Sequence, residues 1–248
     1  MEAAIPSPAI EAHLRPARSR VWRWLRRIVL ALVALAIAYN AWLFVQVWWL
    51  REHNPGTTAF MQKGLARLQE RNPKAQIQHR WVPYQQISVH LKRAVIAAED
   101  QKFLDHDGFD WEEVEKAIAR NQARGRVVRG ASTISQQLAK NLFLSSQRNY
   151  LRKAQEAVIT LMIEQTLEKR RILEIYLNVI EWGDGFYGAE AAARHYFGAS
   201  AAGLDEEQAA RLAAMIPNPR YFDRRRDSPY LARRTEDLRR YMPMIAVP

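Results

Sequence analysis

The chain has no cysteine among its 248 residues, which excludes a disulfide framework and any thiolate metal site. That absence assigns no compartment and is compatible with an oxidising one. Other signatures are missing too. There is no HExxH or Cys/His metal pattern. There is no GxSxG, SxxK or KTG, so acyl transfer of the penicillin-binding type has no nucleophile here. The chain is also read as lacking a P-loop and a dinucleotide glycine fingerprint, and it shows no internal repeat or low-complexity tract. Charge, by contrast, is abundant and one-sided. The net charge is +11, of which the first 27 residues supply +4 through six Arg against two Glu. Such a balance suits polyanions such as nucleic acid, anionic lipid or a phosphorylated substrate, and equally a solvated basic face with no ligand.

Ile28 to Leu50 carries no charged residue over 23 positions. As a helix it spans roughly 34 Å, enough for a bilayer's hydrocarbon core with some tilt. Trp22 and Trp24 precede it and Trp48 and Trp49 end it, like the aromatic belts of membrane interfaces. A cleaved signal peptide would have a shorter apolar run and a small-x-small site, whereas this run ends in Trp48-Trp49-Leu50-Arg51. Arg15, Arg18, Arg20, Arg23, Arg26 and Arg27 lie before the span, and Arg51 stands nearly alone just after it. The positive-inside rule then puts residues 1–27 in the cytoplasm as a tail, disordered over 1–14, and everything after Arg51 outside, away from ATP and NAD.

Residues 51–79 read as a connector and 80–248 as one mostly α domain, with hydrophobic content of 48% ample for a core. Thr57 or Thr58 caps a short helix ending near Leu68, and Ile77 to Pro83 suggests a strand or an extended arm. A helix from Ser88 delivers Glu99 at its end. Asp110 caps the next, to about Ala123, and Ser132 or Thr133 caps Ile134 to Leu144. Arg152 opens the longest periodic segment, to about Ile180. Helices at Ala189–Phe197 and Asp205–Met215 follow, the latter with an Asp205–Gln208 capping pair, and a last one lies after Pro229.

Between residues 98 and 156 acids, amides, hydroxyls and bases crowd into otherwise apolar helix. Burying them unpaired would cost a few kcal/mol each. Glu99 ends an apolar stripe, where desolvation makes a carboxylate usable as a general base or acid. Asp100 and His106 accompany it. Ser132, Thr133, Gln136 and Gln137 sit at a helix start, where free N–H groups favour an anionic or sugar ligand. Lys140 and Asn141 follow. Lys140, Arg148, Arg152 and Lys153 put four bases within fourteen residues. Glu156, four after Arg152, fits either a routine intrahelical ion pair or a second carboxylate beside a pyrophosphate clamp. Two carboxylates with bases and amides beside a membrane suggest glycosyl chemistry on a lipid-linked phosphate sugar.

Five ordered blocks over about residues 80–222 resemble the peptidoglycan glycosyltransferase family, shared by monofunctional enzymes and the N-terminal domain of bifunctional penicillin-binding proteins. Glu99-Asp100 with Phe103, His106, Gly108 and Asp110 is similar to the first motif. Gly130, Ser132-Thr133-Ile134, Gln136-Gln137 and Lys140-Asn141 resemble the second, and Arg152-Lys153 with Glu156 the third. Lys169, Ile172, Glu174, Tyr176 and Asn178 resemble the fourth, and Gly188 to Gly198 with Ile216-Pro217-Asn218-Pro219 the segment after it. The last family block is matched only loosely, by Arg233 to Leu238 and Tyr241-Met242.

The resemblance implies a lysozyme-like, mostly helical fold and an inverting lipid II polymerase. Glu99 is its expected general base. Lys140, Arg148 and Lys153, with Arg152 beside them, hold the donor pyrophosphate, and Glu156 supports the leaving group or a divalent cation (Mg or Mn), the one cofactor implied. Asp100, His106, Ser132, Thr133, Gln136, Gln137 and Asn141 are the remaining substrate-binding expectations. Arg120 to Arg129 corresponds to a mobile, membrane-touching flap, with Gly125 and Gly130 suited to hinges. The expected partners are lipid II, the growing lipid-linked glycan, membrane lipids and other cell-wall synthesis proteins, and no nucleic acid. The expected location is a bacterial inner membrane with the domain in the periplasm. The length leaves no room for a transpeptidase domain, which suggests the monofunctional form. Rival readings are a lysozyme-like hydrolase, which has no use for the base cluster, and a non-catalytic membrane-anchored scaffold, which leaves the five motifs unexplained.

Overall fold

The structure, a computed structural model, describes residues 16–125, 131–144 and 149–248. Arg148, Gly130, Arg126, Arg129 and the tail of residues 1–14 lie outside the described residues.

The first helix, α1 (Pro16–Trp49), includes the expected span. From Val21 to Trp49 it is long and apolar enough to cross a membrane. Leu25, Ile28, Leu32 and Leu35 are exposed, as an anchor's side chains are outside lipid. Asn40 returns its side-chain N–H to the Ala36 carbonyl at 2.8 Å, which satisfies a polar group inside the apolar run.

Residues 47–248 form the second compact unit. In chain order it contains α2 (Ala59–Gln69), β1 (Gln78–His79), α3 (Val89–Glu99), α4 (Trp111–Ala123), α5 (Ile134–Phe143), α6 (Tyr150–Thr166) and α7 (Lys169–Val179). There follow β2 (Glu181–Gly183), β3 (Phe186–Tyr187), α8 (Ala189–Phe197), α9 (Glu206–Met215), α10 (Pro219–Arg224) and α11 (Pro229–Tyr241). The caps follow from short polar side chains at the right places. Thr58, Ser88, Asp110, Thr133 and Asp205 each accept a first-turn N–H, and Thr133–Gln136 and Asp205–Gln208 form full capping boxes.

The core centres on α3, whose Leu91, Ala94, Val95, Ile96 and Ala97 are buried where it packs on α9. Small residues on α9 (Ala209, Ala210, Ala213, Ala214) allow that close approach, and α11 covers α9. A second layer packs α5 against α6 and α7, with α2 alongside α5. The segment read as a connector thus contributes α2 and β1 to the compact unit. Arg171 of α7 also binds it, donating to the carbonyls of Leu50 and His53, each at 2.8 Å.

Three expectations are revised. The periodic run from Arg152 to Ile180 is two helices. Leu167 and Glu168 adopt extended backbone between α6 and α7, with no Gly or Pro to announce the break. The unit is mostly helical but carries a three-stranded sheet of order β1-β3-β2, with β1 parallel to β3 and β2 antiparallel to it. Lastly, Gly183, Gly185 and Gly188 do have the G-x-G-x-x-G spacing. They belong to the β2–β3 hairpin instead of a parallel strand–turn–helix unit, because β3 itself occupies the two positions before Gly188. These glycines serve packing. A Cβ on Gly188 would lie 2.6 Å from the Asn178 carbonyl oxygen.

Candidate active site

α3 carries Glu99 to its last residue, with buried Ile96, Ala97 and Ala98 behind it and the carboxylate partly exposed. Gln137 of α5 donates from Nε2 to Glu99 Oε2 at 2.7 Å. Behind it, the Tyr176 hydroxyl donates to Gln137 Oε1 at 2.9 Å. An ionised carboxylate only accepts, so the amide must turn its nitrogen to Glu99 and its oxygen to Tyr176. Tyr176 is fully buried, and that burial, aided by the carboxylates of Glu99 and Asp100, pushes its hydroxyl well above the ordinary tyrosine range. It therefore remains a donor.

Asp100 turns the other way. Its Oδ1 accepts from His106 Nε2 at 2.9 Å and its Oδ2 accepts the backbone N–H of Ile134 at 3.0 Å. Gly108 N–H donates to His106 Nδ1 at 3.1 Å, which leaves the ring proton on Nε2, facing Asp100. Thr133 Oγ1 donates to the Gly108 carbonyl at 2.7 Å. These bonds tie the turn after α3 to the start of α5. Lys169 reinforces the turn by donating to the His106 carbonyl, and it pairs with Glu164 at 2.9 Å. Glu164 in turn accepts from Ser135.

This changes the reading of the α5 start. An open helix N-terminus was expected for a sugar or anion. The Asp100 carboxylate already occupies the Ile134 N–H, and Thr133 and Gln136 spend their side chains on the capping box. Asp100, Thr133 and Gln136 are buried, and the His106 side chain is 8% exposed. Asn141 is buried and donates to the Gln137 carbonyl at 2.7 Å. The side chains of these five residues are engaged within the unit, whereas Ser132, Gln137 and Lys140 are partly exposed.

Nearly one turn along α5 from Gln137, Lys140 places Nζ 5.5 Å from the centre of the Phe60 ring on α2. No carboxylate among the described residues is within ion-pair distance of it. Burial holds its pKa below the usual lysine range; the Glu156 carboxylate opposes that shift, the Arg152 and Lys153 charges add to it, and Glu99 opposes it. The general-base candidate and the cation cluster therefore act on a single side chain.

Across from it on α6, Glu156 is buried at 3% exposure. Arg152 Nη1 donates to its Oε2 at 2.6 Å and Lys153 Nζ to its Oε1. The two readings of Glu156 thus resolve into an ion triplet, in which it holds two cations in place with both oxygens occupied. A divalent cation there would face two fixed positive charges, and no group of three His, Asp or Glu among the described residues has the disposition of a metal site. The donor set fits an incoming oxyanion better than a metal ion.

Sequence reasoning missed Tyr176, read as an apolar stripe residue; Glu164 and Lys169, whose partners lie on distant turns; and Phe60. Only Lys169 and Tyr176 had a signal, their place in the fourth motif.

A mostly helical unit that presents an oriented carboxylate beside a lysine and an ion triplet suits a glycosyl-transfer enzyme. The comparisons agree: the chain belongs to the family described as Transglycosylase, whose model matches residues 65–242. Its fold is the lysozyme-like helical one of that family. The chain is similar to the biosynthetic peptidoglycan transglycosylase of Azoarcus sp. (strain BH72), 58% identical over 228 residues, covering 92% of this chain and 98% of the relative. It is equally similar to the protein of that name from Thiobacillus denitrificans, at 58% over 228 residues with 92% and 98% coverage. The Dechloromonas aromatica protein of that name is 56% identical over 229 residues, covering 91% of this chain and 98% of the relative.

Proposed function

We propose that this protein is a peptidoglycan glycosyltransferase that polymerises lipid II into β-1,4-linked glycan and releases undecaprenyl pyrophosphate. The observation that carries this reading is the Glu99 carboxylate held by Gln137 of α5, with Lys140 nearly a turn further along that helix and the Arg152–Lys153–Glu156 triplet on α6, which packs against it.

Glu99 takes the proton from the acceptor sugar's 4-hydroxyl. That oxygen attacks the anomeric carbon of the lipid-linked donor chain with inversion. The bond from that carbon to the phosphate oxygen breaks, and the pyrophosphate leaves with the electron pair. A pyrophosphate is already a good leaving group, so the chief requirement is to stabilise its charge. Lys140, Lys153 and Arg152 supply that, with Glu156 fixing the latter two. Ser132 and Gln137 face the sugars. The Gln137–Tyr176 pair orients the Glu99 carboxylate and Asp100–His106 holds the α5 start, so these groups act by positioning.

The exposed apolar length of α1 supports a membrane anchor, and the flanking arginines support a cytoplasmic N-terminus with the 47–248 unit in the periplasm of a bacterial inner membrane. The substrate's own lipid then lies in the same bilayer as the enzyme. Other cell-wall synthesis proteins are the expected neighbours.

The test uses the purified full chain with labelled lipid II. Wild-type protein is expected to make polymer, and Glu99→Gln to make none while still binding substrate. Wild-type protein that makes no polymer but shortens existing glycan would identify a hydrolase instead.

A further inference from the structure

A basic cleft of about 300 Å³ lies outside the residues used above, between α2, the β2–β3 turn and α10. Arg67 lies on the last turn of α2 and Arg71 in the turn just beyond it, while Arg220 and Arg224 stand four apart on α10, so that helix shows two guanidinium groups on one face. Like charges at that spacing destabilise a helix unless something offsets them. Glu181 and Asp184 do so in part. Arg67 Nη2 donates to Glu181 at 3.0 Å and to Asp184 at 2.7 Å, Arg71 Nη1 to Asp184 at 3.3 Å, and Arg220 Nε lies 3.5 Å from Glu181. Four cations against two carboxylates leave the cleft net positive. Donors are left over as well. Arg67 Nε is buried with no hydrogen-bond partner, and Arg224 forms no ion pair among the described residues, bonding only from Nε to the Arg220 carbonyl at 3.3 Å. The Tyr221 hydroxyl in the same wall accepts from Arg225, which leaves its own proton to donate.

The cleft is joined to the active site by a single helix. Phe60, near the start of α2, lies against Lys140; Arg67 comes seven residues later, roughly 10 Å along the axis, and Arg71 stands in the turn just past the helix end. A glycan strand threading past Lys140 and running along α2 would carry its pendant groups to these arginines.

We infer that the Arg67–Arg71–Arg220–Arg224 cleft is a subsite for the pendant carboxylates of the peptide-bearing glycan strand. This rests on the glycosyltransferase reading. The recognition is bidentate guanidinium to carboxylate, which planar arginine forks perform better than lysines would, and the cleft contains four Arg and no Lys. A concave cleft braced by its own carboxylates suits a discrete carboxylate group, whereas a flat bilayer surface would approach the rim alone.

The experiment measures binding of soluble peptide-bearing glycan fragments to the full chain in detergent, beside the same fragments with the peptides removed by amidase. Phosphatidylglycerol vesicles form a further arm. The variant is Arg71→Ala with Arg224→Ala, two exposed side chains away from the core. The expected result is that wild type binds peptide-bearing fragments, that the double variant binds them about tenfold or more weakly through lost charge-assisted bonds, and that stripped glycan binds both proteins alike. Equal binding of peptide-bearing fragments by the two proteins overturns the inference. So does a variant defect that appears with vesicles and not with fragments, which would make the cleft a lipid site. Initial polymerisation of lipid II is measured in parallel. A wild type that fails there refutes the function, whereas a wild type that polymerises beside an unaffected variant binding curve refutes the subsite alone.

Discussion

The relay behind the catalytic carboxylate can be broken at its most remote atom. Tyr176→Phe removes one hydroxyl and leaves a ring of nearly the same volume at a fully buried position. Gln137 Oε1 then loses its donor, and an amide oxygen without a partner costs about 1–3 kcal/mol. Stability is expected to fall within that range, and thermal unfolding of the purified chain measures it. The rate responds through a second effect. With Tyr176 in place, the wrong amide rotamer would set Oε1 against the Glu99 carboxylate and give up the bond that Oε1 accepts from the hydroxyl, so it is disfavoured at both ends. Without the hydroxyl it is disfavoured at one end only, and the charge-assisted bond to Glu99, worth about 1.5–3 kcal/mol, becomes intermittent. If half to all of that bond is lost from the transition state, kcat falls roughly 4- to 160-fold with little change in KM. The assay is the initial rate of labelled lipid II polymerisation across substrate concentrations and pH. A variant that unfolds earlier but keeps kcat within about twofold of wild type would refute the positioning role and leave Tyr176 as a packing residue.

Burial lowers the Lys140 pKa, so the charge the pyrophosphate needs disappears at a lower pH than for an exposed lysine. Activity is expected to fall as pH rises through that pKa, and Lys140→Arg, which keeps its charge, should carry the alkaline limb to higher pH in a pH–rate profile. In Asp100→Asn one amide group faces a donor, either His106 Nε2 or the Ile134 N–H, so unfolding free energy should drop by about 1–3 kcal/mol in a denaturant titration. Gly188→Ala should be more damaging. Backbone at φ +83 and ψ 157 belongs to a glycine-only region, and the new methyl would press on the Asn178 carbonyl, so a loss of about 2–5 kcal/mol is expected in the same titration.

What the sequence made legible was local. Caps depend on one side chain and a few following N–H groups, and Ser88, Asp110 and Asp205 are the caps the pattern points to. The break at Leu167–Glu168 has no local cause. It is set by tertiary bonds, among them Lys169 reaching the His106 carbonyl, so periodicity ran through it. Of the sheet, β1 falls within the Ile77 to Pro83 stretch expected as a strand or extended arm, while β2 and β3 escaped because they are only two or three residues long. At the site, the position of Glu99 was readable because an apolar stripe ends there. The roles of Asp100, His106, Thr133 and Gln136 were not. A polar residue facing inward looks the same in sequence whether it meets a substrate or a backbone N–H. The Gly183–Gly188 spacing gives the converse lesson, a motif whose letters are present while its strand–helix setting is not.

The latch between the turn after α3 and the start of α5 has a consequence for the segment between them. Gly108 and Thr133 are bonded to each other, and Asp100 grips Ile134, so the residue before Phe109 and the start of α5 are pinned together. α4, with Trp111 and Ile118 exposed and Ala117 its one buried residue, is hung from that point like a pendant. α4 thus contributes a single side chain to the core and turns most of its surface outward. A probe attached at exposed Trp111 or Ile118 would report on how this surface meets its surroundings, at a distance in sequence from the reacting groups.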